Sequence, residues 1–67
     1  MTLGEAIRGY IEENGFKRTF IAKKAGISDA VFNAIINDRR NMGAMEYYHI
    51  CKALNVPLEK FIEEAEG

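Results

Sequence analysis

The sequence predicts an all-α chain, a compact bundle of about five helices. Three observations carry that expectation. A single proline interrupts the 67 residues. No stretch alternates apolar and polar residues with the two-residue period of a half-buried strand. Apolar side chains recur instead at intervals of three and four, among residues of good helix propensity.

Each element follows from local signals. Thr2 is a good N-cap and Glu5 stands three residues later, the pattern of a capping box. Leu3, Ile7, Tyr10 (or Ile11) and Asn14 follow helical spacing, so helix 1 is expected over about 3–13. Asn14-Gly15 is a turn signal. Helix 2 follows over about 18–25, and Gly26 offers it a left-handed C-cap. Ser28 can cap helix 3, about 29–36. Residues 37–42 read as a loop. Helix 4, about 43–54, is expected to bury Ala44, Tyr47, Ile50, Cys51 and Leu54. Asn55-Val56-Pro57 ends it, because proline lacks an amide hydrogen and restricts its predecessor. Helix 5 is expected over about 58–65 with Leu58, Phe61 and Ile62 inward.

Length and composition bound the function. A chain this short is expected to form one domain, residues 1–67, burying only about 60% of its unfolded surface. Apolar residues make up 48%, too many for a disordered chain. One cysteine excludes an intrachain disulfide and points to the reducing cytoplasm. No run approaches the roughly 20 apolar residues that span a bilayer. No basic region followed by an apolar core opens the chain, so no signal peptide is expected.

Net charge is −1, but it is unevenly spread. Residues 17–40 hold Lys17, Arg18, Lys23, Lys24, Arg39 and Arg40 against Asp29 and Asp38, six minus two or +4. Residues 58–67 hold four glutamates against Lys60, or −3. One segment can face a polyanion while the other faces away. A solvated surface of uneven charge accounts for the same numbers.

The stretch from Arg18 to Asn37 reads as two helices joined through Gly26. A short turn makes such helices cross steeply. Their backbones then approach closely, and Ala22 supplies the small side chain needed there. Ile21, Ala25, Ile27, Phe32 and Ile35 lock the pair onto the rest of the chain. This register resembles the DNA-binding helix-turn-helix. The run "FIAKKAGISDAVFNAII", a loop, and then "YYHICKALNVPLEKF" resembles the Cro/C1-type (XRE-like) family of phage and bacterial repressors. The resemblance covers Leu3 to Phe61. It implies a lambda-repressor-like bundle and a transcriptional regulator that binds double-stranded operator DNA, usually as a two-fold homodimer, with no catalytic role and no cofactor.

On a helical wheel Val31, Phe32, Ile35 and Ile36 share one side of helix 3. Ala30, Asn33, Ala34 and Asn37 share the other, with Asp29 at the border. Short outward side chains let a helix approach base edges in the major groove. Asn can bond adenine with two hydrogen bonds, an Ala methyl can touch thymine, and Asp can accept from cytosine. Asn33, Ala30, Asp29 and Asn37 are therefore the base-reading candidates. An ordinary solvent face would more often carry Lys and Glu.

Phosphate contacts must supply most of the affinity. Arg18 opens helix 2, where the resemblance implies a polar residue touching the DNA backbone and the free amides suit a phosphate. Thr19 can assist. Ser28 has two available roles, cap and DNA contact. Arg39 and Arg40 follow helix 3, where the resemblance implies basic residues along the sugar-phosphate edge. Asn41 and Lys17 complete the set, while Lys23 and Lys24 read as solvated surface. Many members of the family pair an Arg of helix 1 with a Glu ending helix 3; Ile11 and Ile36 stand there, so an apolar contact is expected. Asp38 stands where Gly is common.

The remaining features have plainer readings. His49 is expected on the surface with no metal-site partner, and Cys51 as a small buried hydrophobe. No Gly-rich phosphate loop is present. Phe20 either folds onto Tyr10 or Phe16 or stays exposed for a partner. Met42, Met45 and Tyr48, with Leu58, either finish the rim of the core or form a dimer contact. Two other functions use the same sequence: an antitoxin of this fold, and a protein-interaction module that has lost DNA binding.

Overall fold

The computed structural model describes residues 1–66. It contains five helices: α1 Leu3–Glu13, α2 Arg18–Ala25, α3 Asp29–Ile36, α4 Ala44–Leu54 and α5 Glu59–Glu66. The bundle measures 29 × 23 × 19 Å. α2 packs on α4 and α3, and α1 packs on α5 and α3.

The helix starts follow the local chemistry. Thr2 Oγ1 accepts from the Glu5 amide at 3.0 Å, and the Thr2 amide donates to Glu5 Oε1 at 2.8 Å. The capping box is therefore complete. Ser28 Oγ accepts from the Val31 amide at 3.3 Å and caps α3. Four helix ends share one closure. A residue with positive φ follows the helix, and the next amide reaches back to an earlier carbonyl. The left-handed residues are Gly15, Gly26, Asp38 and Asn55. After Gly26 (φ 75°) the Ile27 amide donates to the Ala22 carbonyl at 2.9 Å. After Asp38 (φ 61°) the Arg39 amide donates to the Ala34 carbonyl at 2.8 Å. Asp tolerates that conformation because its short side chain can bond locally. Here Asp38 Oδ2 accepts from the Thr2 hydroxyl at 2.8 Å, which ties the end of α3 to the start of α1.

The core is wholly apolar among the described residues, built on Ile7, Ile11, Ile21, Phe32, Ile35, Ile36, Ile50 and Phe61. Ala22 is fully buried. Ile11 and Ile36 are 1% and 0% exposed, so both positions of the expected apolar contact lie in the core. Cys51 is buried and His49 exposed. Burial pushes the Cys51 thiol up from its ordinary pKa. Burial likewise pushes the Tyr47 hydroxyl up to about 12, and that hydroxyl donates to the Leu58 carbonyl.

Four expectations need correction. α4 begins at Ala44, with Gly43 as its N-cap, and α5 spans 59–66 rather than 58–65. Ala44 is exposed, because it opens the first turn on the solvent side. Leu58 and Ile62 are exposed too. α5 packs on α1 and buries Phe61, while Lys60 and Ala65 are half-buried and Ile62 faces outward. Ala53 joins the core instead.

Candidate nucleic-acid interface

α3 presents its two sides as the wheel requires. Phe32, Ile35 and Ile36 are buried, and Val31 packs against the same core. On the other side Asp29 and Ala30 are exposed, while Asn33 and Ala34 are half-buried. The outward surface is slim, because no side chain on it is larger than Asn.

Arg18 lies beside that surface. Its Nη1 donates to Asn33 Oδ1 at 3.4 Å, a long bond, and its Nη2 pairs with Glu12 Oε2 at 3.2 Å. The first residue of α2 and the middle of α3 are thus neighbours. Lys17 makes no side-chain cap at the start of α2. The first amides of that helix remain open to an anion, reinforced by the helix dipole. Lys17 and Thr19 flank them, both exposed.

Asn37 is placed differently from its expected base-reading role. Its side-chain oxygen accepts from Arg8 Nη1 at 2.8 Å, and its Nδ2 donates to the Asn33 carbonyl at 2.8 Å. Both ends of the amide are engaged inside the protein, so it closes α3 instead of offering a free edge. Sequence reasoning missed Arg8. The available signal was its spacing: Gly4 and Arg8 lie four residues apart on one face of α1, and that face meets the end of α3.

Beyond α3, Arg39, Arg40 and Asn41 are all exposed. Arg40 Nη1 pairs with Glu46 Oε2 at 2.7 Å. The other oxygen of Glu46 accepts from the Gly43 amide at 2.8 Å. That amide, then the Arg40 guanidinium, hold the Glu46 carboxyl below the usual carboxylate range. Arg39 has no ion-pair partner among the described residues, so its charge is the less neutralised of the two.

The residues considered for pairing divide. Met42 is half-buried and packs on the core. Met45, Tyr48 and Leu58 are exposed, Met45 at 63%. Phe20 is 60% exposed, with the Lys24 ammonium 5.9 Å from its ring centre. Phe16, not Phe20, packs on Tyr10, at 6.2 Å between ring centres. Among the described residues no helix is long and apolar enough to cross a membrane.

A family model described as a helix-turn-helix domain matches residues 4–67. No curated protein matches the chain. DNA binding and transcription regulation are the general work of such domains. With five helices among the described residues, the left-handed turn at Gly26 and a match over nearly its whole length, the chain belongs to the helix-turn-helix domains of the XRE/Cro-C1 type.

Proposed function

We propose that residues 1–67 form one DNA-binding domain, with its helix-turn-helix at about 18–37, that represses transcription from operator DNA. In this reading α3 enters the major groove of double-stranded DNA. Asn33 and Ala30 meet base edges, with Asp29 at the entry. Arg18, Lys17 and Thr19, the open amides of α2, and Arg39, Arg40 and Asn41 hold phosphates on either side. Ser28 serves as cap and lies close enough to the surface to add a contact. The protein works in the cytoplasm as a homodimer on DNA, its two α3 helices about 34 Å apart to meet successive turns of the groove. No cofactor and no catalytic group enters the reading.

One observation carries it: the outward side of α3 holds only Asp, Asn and Ala, with Arg18 bonded beside Asn33. Selection of bound duplexes from a random pool tests it. A palindromic consensus is expected. Binding should weaken steeply with salt, and Arg39→Ala with Arg40→Ala should flatten that slope by about 2, near one per phosphate contact. Recovery of no consensus at low salt would favour the interaction module instead, a reading that the exposure of Phe20 supports.

A further inference from the structure

A second surface holds none of the residues assigned above to bases or phosphates. Between α2 and α4 lies an open cleft of about 470 Å³, lined by Lys24, Tyr48, His49, Lys52 and Ala53. No carboxylate lines it. Its cations sit against aromatic rings: Lys52 Nζ lies 5.4 Å from the Tyr48 ring centre, and Lys24 Nζ 5.9 Å from that of Phe20. Such contacts restrain flexible ammonium groups and leave their remaining donors free. The surface therefore combines exposed rings with positive charge.

α5 carries the opposite character. Glu59, Glu63 and Glu66 are exposed, and so are Ile62 and, just before the helix, Leu58. Positions 59, 62, 63 and 66 fall on one side of a helix by their spacing. The one cation of α5, Lys60, is taken up by Glu64 at 3.0 Å. The helix therefore presents aliphatic side chains edged by carboxylates, and the cleft presents aromatic rings edged by ammonium groups.

We propose that the cleft between α2 and α4 receives α5 of a second copy of this chain. Glu59 and Glu63 meet Lys24 and Lys52, while Leu58 and Ile62 cover the rings of Tyr48 and Phe20. The proposal deepens the homodimer of the preceding section by naming its surface, yet it needs no DNA. The surface uses none of the residues assigned to bases or phosphates. Each copy carries both halves, so the contact closes as a reciprocal pair or extends head to tail. Exposed ion pairs add little each, so the association is weak and falls with salt.

Sedimentation velocity on the protein alone, without DNA, tests this. Self-association that rises with concentration and falls with salt is expected. Lys24→Glu with Lys52→Glu should abolish it, as should Glu59→Lys with Glu63→Lys, and mixing the two variants should restore a pair. Lys17→Glu with Lys23→Glu, of the same net charge as the first variant, should leave association in place. A protein that is monomeric throughout overturns the proposal. So does association that both cleft and α5 variants retain, or that the Lys17 and Lys23 control loses equally. Operator binding that survives alongside any of these failures leaves the DNA-binding reading standing.

Discussion

Arg8 and Asn37 bond across α1 and the closing turn of α3, guanidinium to amide oxygen, at 2.8 Å. The bond is part-buried, and removing either partner leaves the other poorly solvated. Arg8→Ala should lower the unfolding free energy by about 1 kcal/mol, and so should Asn37→Ala. In a double-mutant cycle followed by urea denaturation the two losses should be less than additive. Full additivity would mean that the bond contributes nothing.

Gly4 is enclosed by the end of α3. A Cβ there would lie 2.7 Å from the Ile35 carbonyl oxygen and 2.8 Å from Asp38 Oδ1. Backbone cannot yield as a flexible side chain can. Gly4→Ala should therefore destabilise by about 1–3 kcal/mol, despite the better helix propensity of Ala. Thermal melts of Gly4→Ala and of Gly9→Ala separate the two effects, because nothing lies within 4 Å of a Cβ at Gly9.

The turn at Gly26 sets the angle between α2 and α3. Its Cβ position is open, so only its φ of 75° resists substitution. Gly26→Ala should cost about 1–2 kcal/mol of stability. At protein concentrations and temperatures where the variant stays folded, its sequence preference on DNA should be unchanged. A changed preference would indicate that α3 had been re-aimed.

Asn33 and Arg39 should fail in different ways. Asn33→Ala should relax preference at one base pair, by about 1–3 kcal/mol in discrimination, with the salt slope retained. Arg39→Ala should weaken all duplexes alike and reduce the salt slope by about 1. Binding isotherms on a consensus site and its single-base variants, at two ionic strengths, resolve both.

Acid should loosen two helix starts. The Thr2 amide holds the Glu5 carboxyl below its ordinary value of 4.5, and the Gly43 amide does the same for Glu46. A lowered folded pKa means that the stabilisation is complete above the ordinary value. It is lost as the pH falls through the lowered one. The urea midpoint should therefore drop between neutral pH and about pH 3, and Glu5→Gln with Glu46→Gln should flatten that part of the profile. An unchanged profile would assign the acid response to other carboxylates.

Much of the fold was legible because its signals are local. Caps such as Thr2 and Ser28, and left-handed closures such as Gly26 and Asp38, act within a few residues of themselves. The inward side of α3 followed from spacing alone. Long-range pairing was not legible: Asn37 is turned inward by Arg8, 29 positions away in sequence. Leu58 and Ile62 have helical spacing suited to burial, yet α5 has too little neighbouring surface to cover them. The outward residues of α3 were found by wheel geometry. Which base edges they would suit in the proposed reading was not, since small side chains fit several.

The wholly apolar interior has one more consequence. Two polar ties that orient α3, from Thr2 to Asp38 and from Arg8 to Asn37, lie at its C-terminal end, and a longer one, from Arg18 to Asn33, at its middle. Asp29, Ala30 and Ala34 hold no such tie with their side chains. In the proposed reading Asp29 and Ala30, both exposed, form an exchangeable cassette on a fixed chassis, and single substitutions there should shift target preference with little loss of stability, whereas half-buried Ala34 is more constrained.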